Sequence, residues 1–255
     1  MVSSQLRANA REALKGKWGK AALLTLLYAI ITFVISFVLK FIPVVGYIVD
    51  FVIALPMSYG LLVSFMKLKR GEEVSYTDFL TIGFSSFGKV WAVFGNMVLK
   101  MIIPIVLIIV FMIVMILGAG GSMVGFLSNS STAQVASAGF GGLAIVGLIG
   151  YIVSFVYAIV KGYLYSLSYY ILYDNVDKTG KEIVEESASL MKGNRWSFFW
   201  LGLTFIGWAI LSVFTLYIGL LWLVPYIMVS FVFFYESLAG KSDKKVEDTN
   251  TVVEE

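Results

Sequence analysis

The segment from Ser187 to Trp208 reads SASLMKGNRWSFFWLGLTFIGW, and simpler versions of it occur twice earlier in the chain. It joins a short amphipathic run, a Lys-Gly break, a cation with Trp196, and a long apolar run. The earlier versions are Ala13 to Trp18 (ALKGKW) and Phe87 to Trp91 (FGKVW), each followed by another apolar run. We interpret all three as cytoplasmic surface helices that lead into lipid, with Trp18, Trp91 and Trp196 as interfacial anchors.

The composition places the chain among integral membrane proteins. Of its 255 residues, 59% are hydrophobic and 14% are charged, and the mean hydropathy is +0.89, which is outside the range of soluble domains. Several runs of roughly 17 to 23 residues carry little or no charge, the length needed to cross roughly 30 Å of hydrocarbon. The sequence therefore predicts an all-α polytopic membrane protein. Its six transmembrane helices are expected to form three helical hairpins, each preceded by a short amphipathic cytoplasmic helix.

The predicted organisation is a single membrane domain over residues 1–240 and a disordered charged tail over residues 241–255. Within the domain, the three repeats are expected at about residues 4–70, 75–173 and 179–240. The expected spans are residues 21–39, 44–66, 91–117, 143–160, 198–216 and 218–235. The third is longer than a bilayer core requires, so tilting, a cytoplasmic first part, or a kink at Pro104 are all open.

The segment between the third and fourth spans, Gly118 to Gly142, is rich in Gly, Ser and Ala and has no charged residue. This composition is typical of a flexible external loop, and a re-entrant segment is the alternative. Asn129-Ser130-Ser131 matches a glycosylation acceptor pattern, which we interpret as a chance match in a Ser-rich segment.

The basic residues predict the orientation of the chain. Of the 19 Lys and Arg residues, all but Lys40 fall on the same side of the six expected spans. Because basic residues concentrate in cytoplasmic loops, both termini are expected in the cytoplasm. The first apolar run, Ala21 to Leu39, is not followed by a small-residue cleavage site and is expected to be a retained helix.

The residue types exclude most familiar catalytic sites. The chain has no Cys and no His, which removes thiolate nucleophiles, imidazole bases and the usual zinc and haem ligands. Phosphate-loop, HExxH and nucleophile-elbow motifs are also missing. The acid pairs Glu72/Glu73 and Glu185/Glu186 are expected to be solvated surface charge. We therefore expect no catalytic residue, no metal and no cofactor.

Two lysines near the inner leaflet form the first candidate site. Lys100 and Lys161 lie at similar distances from the ends of the expected external loop, so antiparallel helices bring them to a similar depth. One interpretation is that each snorkels independently to phosphate headgroups. The other is that both lysines, with Asn96 and nearby tyrosines, form a binding pocket for an anion or a lipid headgroup.

Two acidic residues form the second set of candidates, because intramembrane carboxylates are often functional. Asp50 lies near the outer end of the second span, where a structural role beside Lys40 and an ion- or proton-coupling role are both open. Glu236 ends the last span and is expected to pair with a basic residue such as Lys192 or Arg195.

The C-terminal third resembles a known bacterial family of integral membrane proteins, domain of unknown function 975. The resemblance rests on Tyr170 to Asn175 (YILYDN), Ser189 to Asn194 (SLMKGN), Phe205 to Trp208 (FIGW) and Gly219 to Tyr226 (GLLWLVPY), followed by Phe234-Tyr235-Glu236. The Arg11 to Trp18 segment is similar to the start of that family. The resemblance implies a multi-pass protein of the bacterial plasma membrane and implies no activity.

Three functional classes follow from these observations. The first is a non-enzymatic protein that binds lipid, in particular anionic lipid, or protein partners at the inner leaflet, with a homo-oligomer as one possibility. The alternative is a small-solute or ion transporter, in view of the repeats and of prolines inside the spans. A membrane-embedded enzyme is the third, and nucleic acid is not expected as a partner.

Overall fold

The computed structural model describes residues 3–128 and 130–251, with the backbone alone described from residue 241 onward. All regular structure in this part of the chain is helical. The helices are α1 (Ser3–Ala13), α2 (Trp18–Leu39), α3 (Val45–Arg70), α4 (Asp78–Ser85), α5 (Phe87–Lys100), α6 (Ile102–Leu127), α7 (Ser131–Gly162), a 3-10 turn (Tyr163–Tyr165), α8 (Ser168–Asp174), α9 (Gly180–Met191), α10 (Arg195–Phe214) and α11 (Leu220–Thr251).

Six helical segments of the described residues are long and apolar enough to cross a membrane, which confirms the predicted fold class. They are α2, α3, α6, α7 continuing through α8, α10, and α11 as far as Gly240. The bent pair α4 and α5 meets the same test when its two helices are taken together, with a bend of 70° between them. Length and composition are thus compatible with six or seven spans.

The third predicted span differs from the observed helices. The sequence predicted a break at Gly88 and a continuous helix from Trp91, whereas the breaks lie at Ser86 and Met101. Gly88 therefore lies inside α5. Pro104 does not kink a helix interior, because it lies in the first turn of α6, where its missing N–H has no helical partner to lose.

The helix turns before α2 and α10 share one conformation. Gly16 (φ 76°) and Gly193 (φ 81°) both adopt the left-handed backbone that glycine provides without steric cost at helix ends. In each turn a backbone N–H donates to the carbonyl oxygen of a buried residue. The Lys17 N–H donates to Leu14 at 2.8 Å, and the Asn194 N–H donates to Met191 at 3.1 Å. The Phe87 to Trp91 segment has no such turn, and the threefold repeat stays a prediction.

The predicted external loop over residues 118–142 is wrong, because α6 continues to Leu127 and α7 begins at Ser131. Its small residues instead let these two helices approach closely. A Cβ atom added to Gly118 would lie 2.4 Å from the backbone nitrogen of Ala144, and one on Gly125 would lie 2.6 Å from the carbonyl oxygen of Ala133. Asn129, of the glycosylation pattern, lies outside the described residues.

The chain divides into two compact units, one of residues 1–94 and 164–255 and the other of residues 95–163. In the first unit the core is built on α3 from Met57 onward, and α1 packs against α10 and α11. The second unit contains the paired helices α6 and α7, whose outer faces are apolar and exposed. Residues 252–255 and the side chains of 241–251 lie outside the described part, so the disordered tail stays a prediction.

The start of α9 is fixed by a capping box at Thr179 and Glu182. The Glu182 N–H donates to the Thr179 hydroxyl at 3.3 Å, and the Thr179 N–H donates to the Glu182 carboxylate at 2.8 Å. The backbone and hydroxyl hydrogen bonds from Thr179 lower the pKa of Glu182, because they favour its charged form. The spacing of Thr179 and Glu182 in the sequence is the one typical of a capping box.

Candidate functional site

A groove in the first unit is formed by α1, the start of α2, and the two helices α10 and α11. Its cavity volume is about 470 Å³, within the range of small-molecule sites. The lining combines two guanidinium groups with aromatic and aliphatic side chains: Arg7, Arg11, Trp18, Trp208, Leu211, Ser212, Thr215, Gly219, Trp222, Leu223 and Tyr226. The groove is therefore cationic and apolar at once.

The position of the two arginines follows from the sequence of α1. Residues four apart lie on the same helix face, so Arg7 and Arg11 point together into the groove. On another face of the same helix, Leu6 and Ala10 are buried, with 2% and 0% of their surface exposed. Their burial anchors α1 against α10 and α11, and this holds the guanidinium groups at the groove.

The hydrogen bonds of the two arginines differ. Arg11 Nη1 donates to the hydroxyl of Tyr226 at 3.0 Å. Arg7 Nε is buried and has no hydrogen-bond acceptor among the described residues. Buried donors are nearly always paired, and leaving one unpaired costs about 1–3 kcal/mol.

The aromatic wall of the groove centres on Tyr226. Its ring lies 6.3 Å from that of Trp18 and 5.2 Å from that of Phe205, the latter edge to face. At the turn between α10 and α11, the Thr215 hydroxyl donates to the Ser212 carbonyl and accepts from the Gly219 N–H. The polar groups of this turn are thus paired within the protein, and the arginines are the charged side chains of the groove lining.

The three tryptophans predicted as interfacial anchors have different surroundings. Trp18 lines the groove. Trp91 packs in an aromatic cluster, 5.6 Å from Phe51 and 5.4 Å from Phe94 between ring centroids, and its buried Nε1 has no acceptor among the described residues. Trp196 is 71% exposed. Their common depth in a membrane stays a prediction.

The lysine pair of the second unit lies at one level of the α6 and α7 contact. The two helices run antiparallel, since Gly147 meets Met115 and Gly118 meets Ala144. The same register continues to Met101 and Gly162, so the neighbouring Lys100 and Lys161 lie side by side in register. Lys161 Nζ is 5.7 Å from the ring centroid of Tyr157. Asn96 lies one helical turn before Lys100 on α5, and a shared anion pocket of these residues stays a prediction.

Asp50 has a partner on the neighbouring helix. The Ser36 hydroxyl donates to Asp50 Oδ1 at 2.7 Å, which joins α2 to α3. The cleft around the carboxylate has a volume of about 30 Å³ and includes Lys40 and Tyr47. This geometry favours the structural role over ion coupling.

Glu236 pairs with two basic residues other than Lys192 and Arg195, the examples named from the sequence. Its carboxylate pairs with Lys69 and with Arg70 Nε, the latter at 3.2 Å. Arg70 also forms two hydrogen bonds to Asp174, at 2.7 and 3.0 Å, and the Tyr235 hydroxyl donates to Asp174 at 2.9 Å. This ion-pair cluster connects α3, α8 and α11. Because these helices are far apart along the chain, local sequence patterns do not predict the pairing.

The family match covers both units. The model of the family described as "Protein of unknown function (DUF975)" matches residues 1–242. The chain belongs to the DUF975 family. The resemblance seen in the C-terminal third is thereby confirmed and extended to α1, so the groove and the ion-pair cluster both lie within the DUF975 match. No curated protein and no solved structure shows significant similarity to this DUF975 chain.

Sequence reasoning missed the groove, although one part of its signal was present. Arg7 and Arg11 belong to the N-terminal segment that the sequence predicted as a cytoplasmic surface helix, and their spacing of four residues already places them on one helix face. Trp208, Trp222 and Tyr226 come from two helices, and nothing in local sequence indicates that they face α1.

Proposed function

We propose that this DUF975 protein is a multi-pass membrane protein that binds an anionic lipid in the groove between α1, α10 and α11. The observation that carries the proposal is that Arg7 and Arg11 line one groove with aromatic and aliphatic walls and no acidic side chain in its lining. A phosphate between the two arginines would fit this lining, because guanidinium groups bind phosphate oxygens in charge-assisted hydrogen bonds.

The apolar part of the groove fits the rest of a lipid. Leu211 and Trp208 are exposed by more than half of their surface, so an acyl chain that leaves the groove can continue along α10. A lipid so placed keeps its chain in an apolar environment and its phosphate on two cations. A small polar anion would gain only the interaction with the two cations.

Native mass spectrometry of the full chain, purified from membranes in mild detergent, tests lipid binding. We expect retained anionic lipid on the wild type and roughly tenfold less on Arg7→Gln, because one charged hydrogen bond is lost. Arg11→Gln should lose lipid as well. Lys15→Gln is the matched control, because Lys15 is exposed and does not line the groove.

Equal lipid retention by Arg7→Gln, Arg11→Gln and Lys15→Gln would refute the proposal. So would a loss of neutral lipid from Arg7→Gln and Arg11→Gln in the same proportion as their loss of anionic lipid. A thermal unfolding curve for each variant shows whether a loss of lipid reflects a loss of fold.

We also propose that both termini are cytoplasmic and that the membrane is the bacterial plasma membrane. The concentration of Lys and Arg on one side of six spans supports this orientation. Crossing by the bent pair α4 and α5 as a seventh span would put the termini on opposite sides. With six spans and cytoplasmic termini, single Cys residues in place of Ser4 and Lys181 should react with an impermeant thiol reagent only after lysis. Labelling of either position in intact cells would contradict the orientation.

A further inference from the structure

A second cavity of the first unit lies at the start of α2, between the end of α3 and the start of α4. Its volume is about 510 Å³ and its lining is mainly polar: Lys20, Lys67, Glu73, Val74, Ser75 and Asp78. Two cations and two carboxylates thus face one space, which distinguishes this cavity from the cationic groove.

The four charges are not equivalent. Lys67 Nζ pairs with Asp78 Oδ2 at 2.8 Å, so these two charges balance each other. Lys20 and Glu73 have no hydrogen bond or ion pair among the described residues. The cavity therefore presents one free ammonium and one free carboxylate, together with the hydroxyl of Ser75, which is also hydrogen-bonded to the Thr77 hydroxyl at 3.1 Å.

The position of Lys20 sets the level of the cavity. It is the last charged residue before the uncharged run from Ala21 to Leu39, which has the length of a membrane crossing. A cavity at Lys20 consequently opens at headgroup level. Trp18 and Lys20 are two residues apart on α2, about 200° around the helix, so the groove and this cavity lie on opposite sides of α2.

We propose that this cavity binds a headgroup carrying both a phosphate and a primary ammonium, which is phosphoethanolamine chemistry. The phosphate lies on Lys20 and the Ser75 hydroxyl, and the ammonium donates to Glu73. A trimethylammonium group has no N–H to donate to the carboxylate, and a glycerol headgroup has no cation. The site therefore distinguishes phosphatidylethanolamine from phosphatidylcholine and from phosphatidylglycerol.

Binding of these three lipids to the full-length protein is measured by native mass spectrometry of lipid titrations in detergent. On the wild type, phosphatidylethanolamine should bind more tightly than the other two at this site. Lys20→Gln and Glu73→Gln should each weaken that binding about five- to tenfold, because each removes one charge-assisted hydrogen bond. The matched controls are Lys15→Gln and Glu12→Gln, which change exposed charges outside the cavity.

Soluble glycerophosphoethanolamine as a competitor identifies the source of the headgroup. If the competitor displaces phosphatidylethanolamine at an equal concentration, the free headgroup is the ligand. If it does not, the lipid is the ligand, and both results support the site. Equal binding of phosphatidylethanolamine and phosphatidylcholine, or unchanged binding in both cavity variants, overturns it. Arg7→Gln should leave this binding unchanged, which separates the cavity from the groove.

Discussion

Gly83→Ala is expected to lower the free energy of unfolding by roughly 3 kcal/mol, the upper part of the range for overpacking. A Cβ atom at Gly83 would lie 2.3 Å from the carbonyl oxygen of Pro56, and one at Gly60 would lie 2.2 Å from that of Phe79. Both obstructions are backbone atoms of a neighbouring helix, which cannot rotate away as a side chain can. The methyl group must therefore push α4 away from α3, and Gly60→Ala should have a similar effect.

Gly207→Ala is the control for this prediction. Gly207 is helical, but a Cβ atom there has nothing within 4 Å. Alanine is favoured over glycine in helices by up to about 1 kcal/mol, so this variant should be neutral or more stable. Denaturant titration in mixed micelles measures all three variants. Equal stability of Gly83→Ala and Gly207→Ala would show that α3 and α4 are not packed as described.

Arg70→Met is expected to cost about 2–3 kcal/mol of unfolding free energy. It leaves Asp174 without its two guanidinium hydrogen bonds and removes one partner of Glu236. Breaking a buried ion pair costs about 3–5 kcal/mol. Here the Arg70 and Asp174 side chains are 26% and 27% exposed, so solvent screening reduces the cost.

Lys178→Met provides the matched control. Lys178 pairs with Glu186 at 2.7 Å, and the two side chains are more exposed, at 39% and 35% respectively. Exposed pairs contribute only about 0–1 kcal/mol. The double variant of Arg70→Met and Asp174→Asn should cost less than the sum of the single variants, because both remove the same interaction. A cost for Arg70→Met no larger than for Lys178→Met would contradict a stabilising role for the ion-pair cluster.

The sequence was most informative where the signal is local. Apolar runs predicted six helices long enough to cross a membrane, as the structure has them, and the spacing of Thr179 and Glu182 is typical of a helix start. The Gly- and Ser-rich segment over residues 118–142 was misread because small residues serve both flexible loops and close helix contacts. Composition alone does not distinguish a flexible loop from a close helix contact. The structure does, because it places a neighbouring helix at van der Waals distance.

The groove and the ion-pair cluster could not be predicted because they depend on contacts between distant parts of the chain. Arg11 and Tyr226, or Arg70 and Glu236, are brought together by the packing of helices that no periodicity relates. For the lysine pair, the sequence predicted a matched level, and their neighbours Met101 and Gly162 lie in contact, while the shared site stays a prediction. The sequence did not predict that a helix break at Met101 separates Lys100, the last residue of α5, from α6.

The most direct measurement of lipid binding in the groove is an experimental density map of the protein in nanodiscs that contain phosphatidylglycerol. Elongated density should lie along Trp208, Trp222 and Tyr226, with its phosphate about 3 Å from the guanidinium groups of Arg7 and Arg11. An empty groove in which Arg7 Nε donates to an acceptor of the protein itself would contradict the proposal.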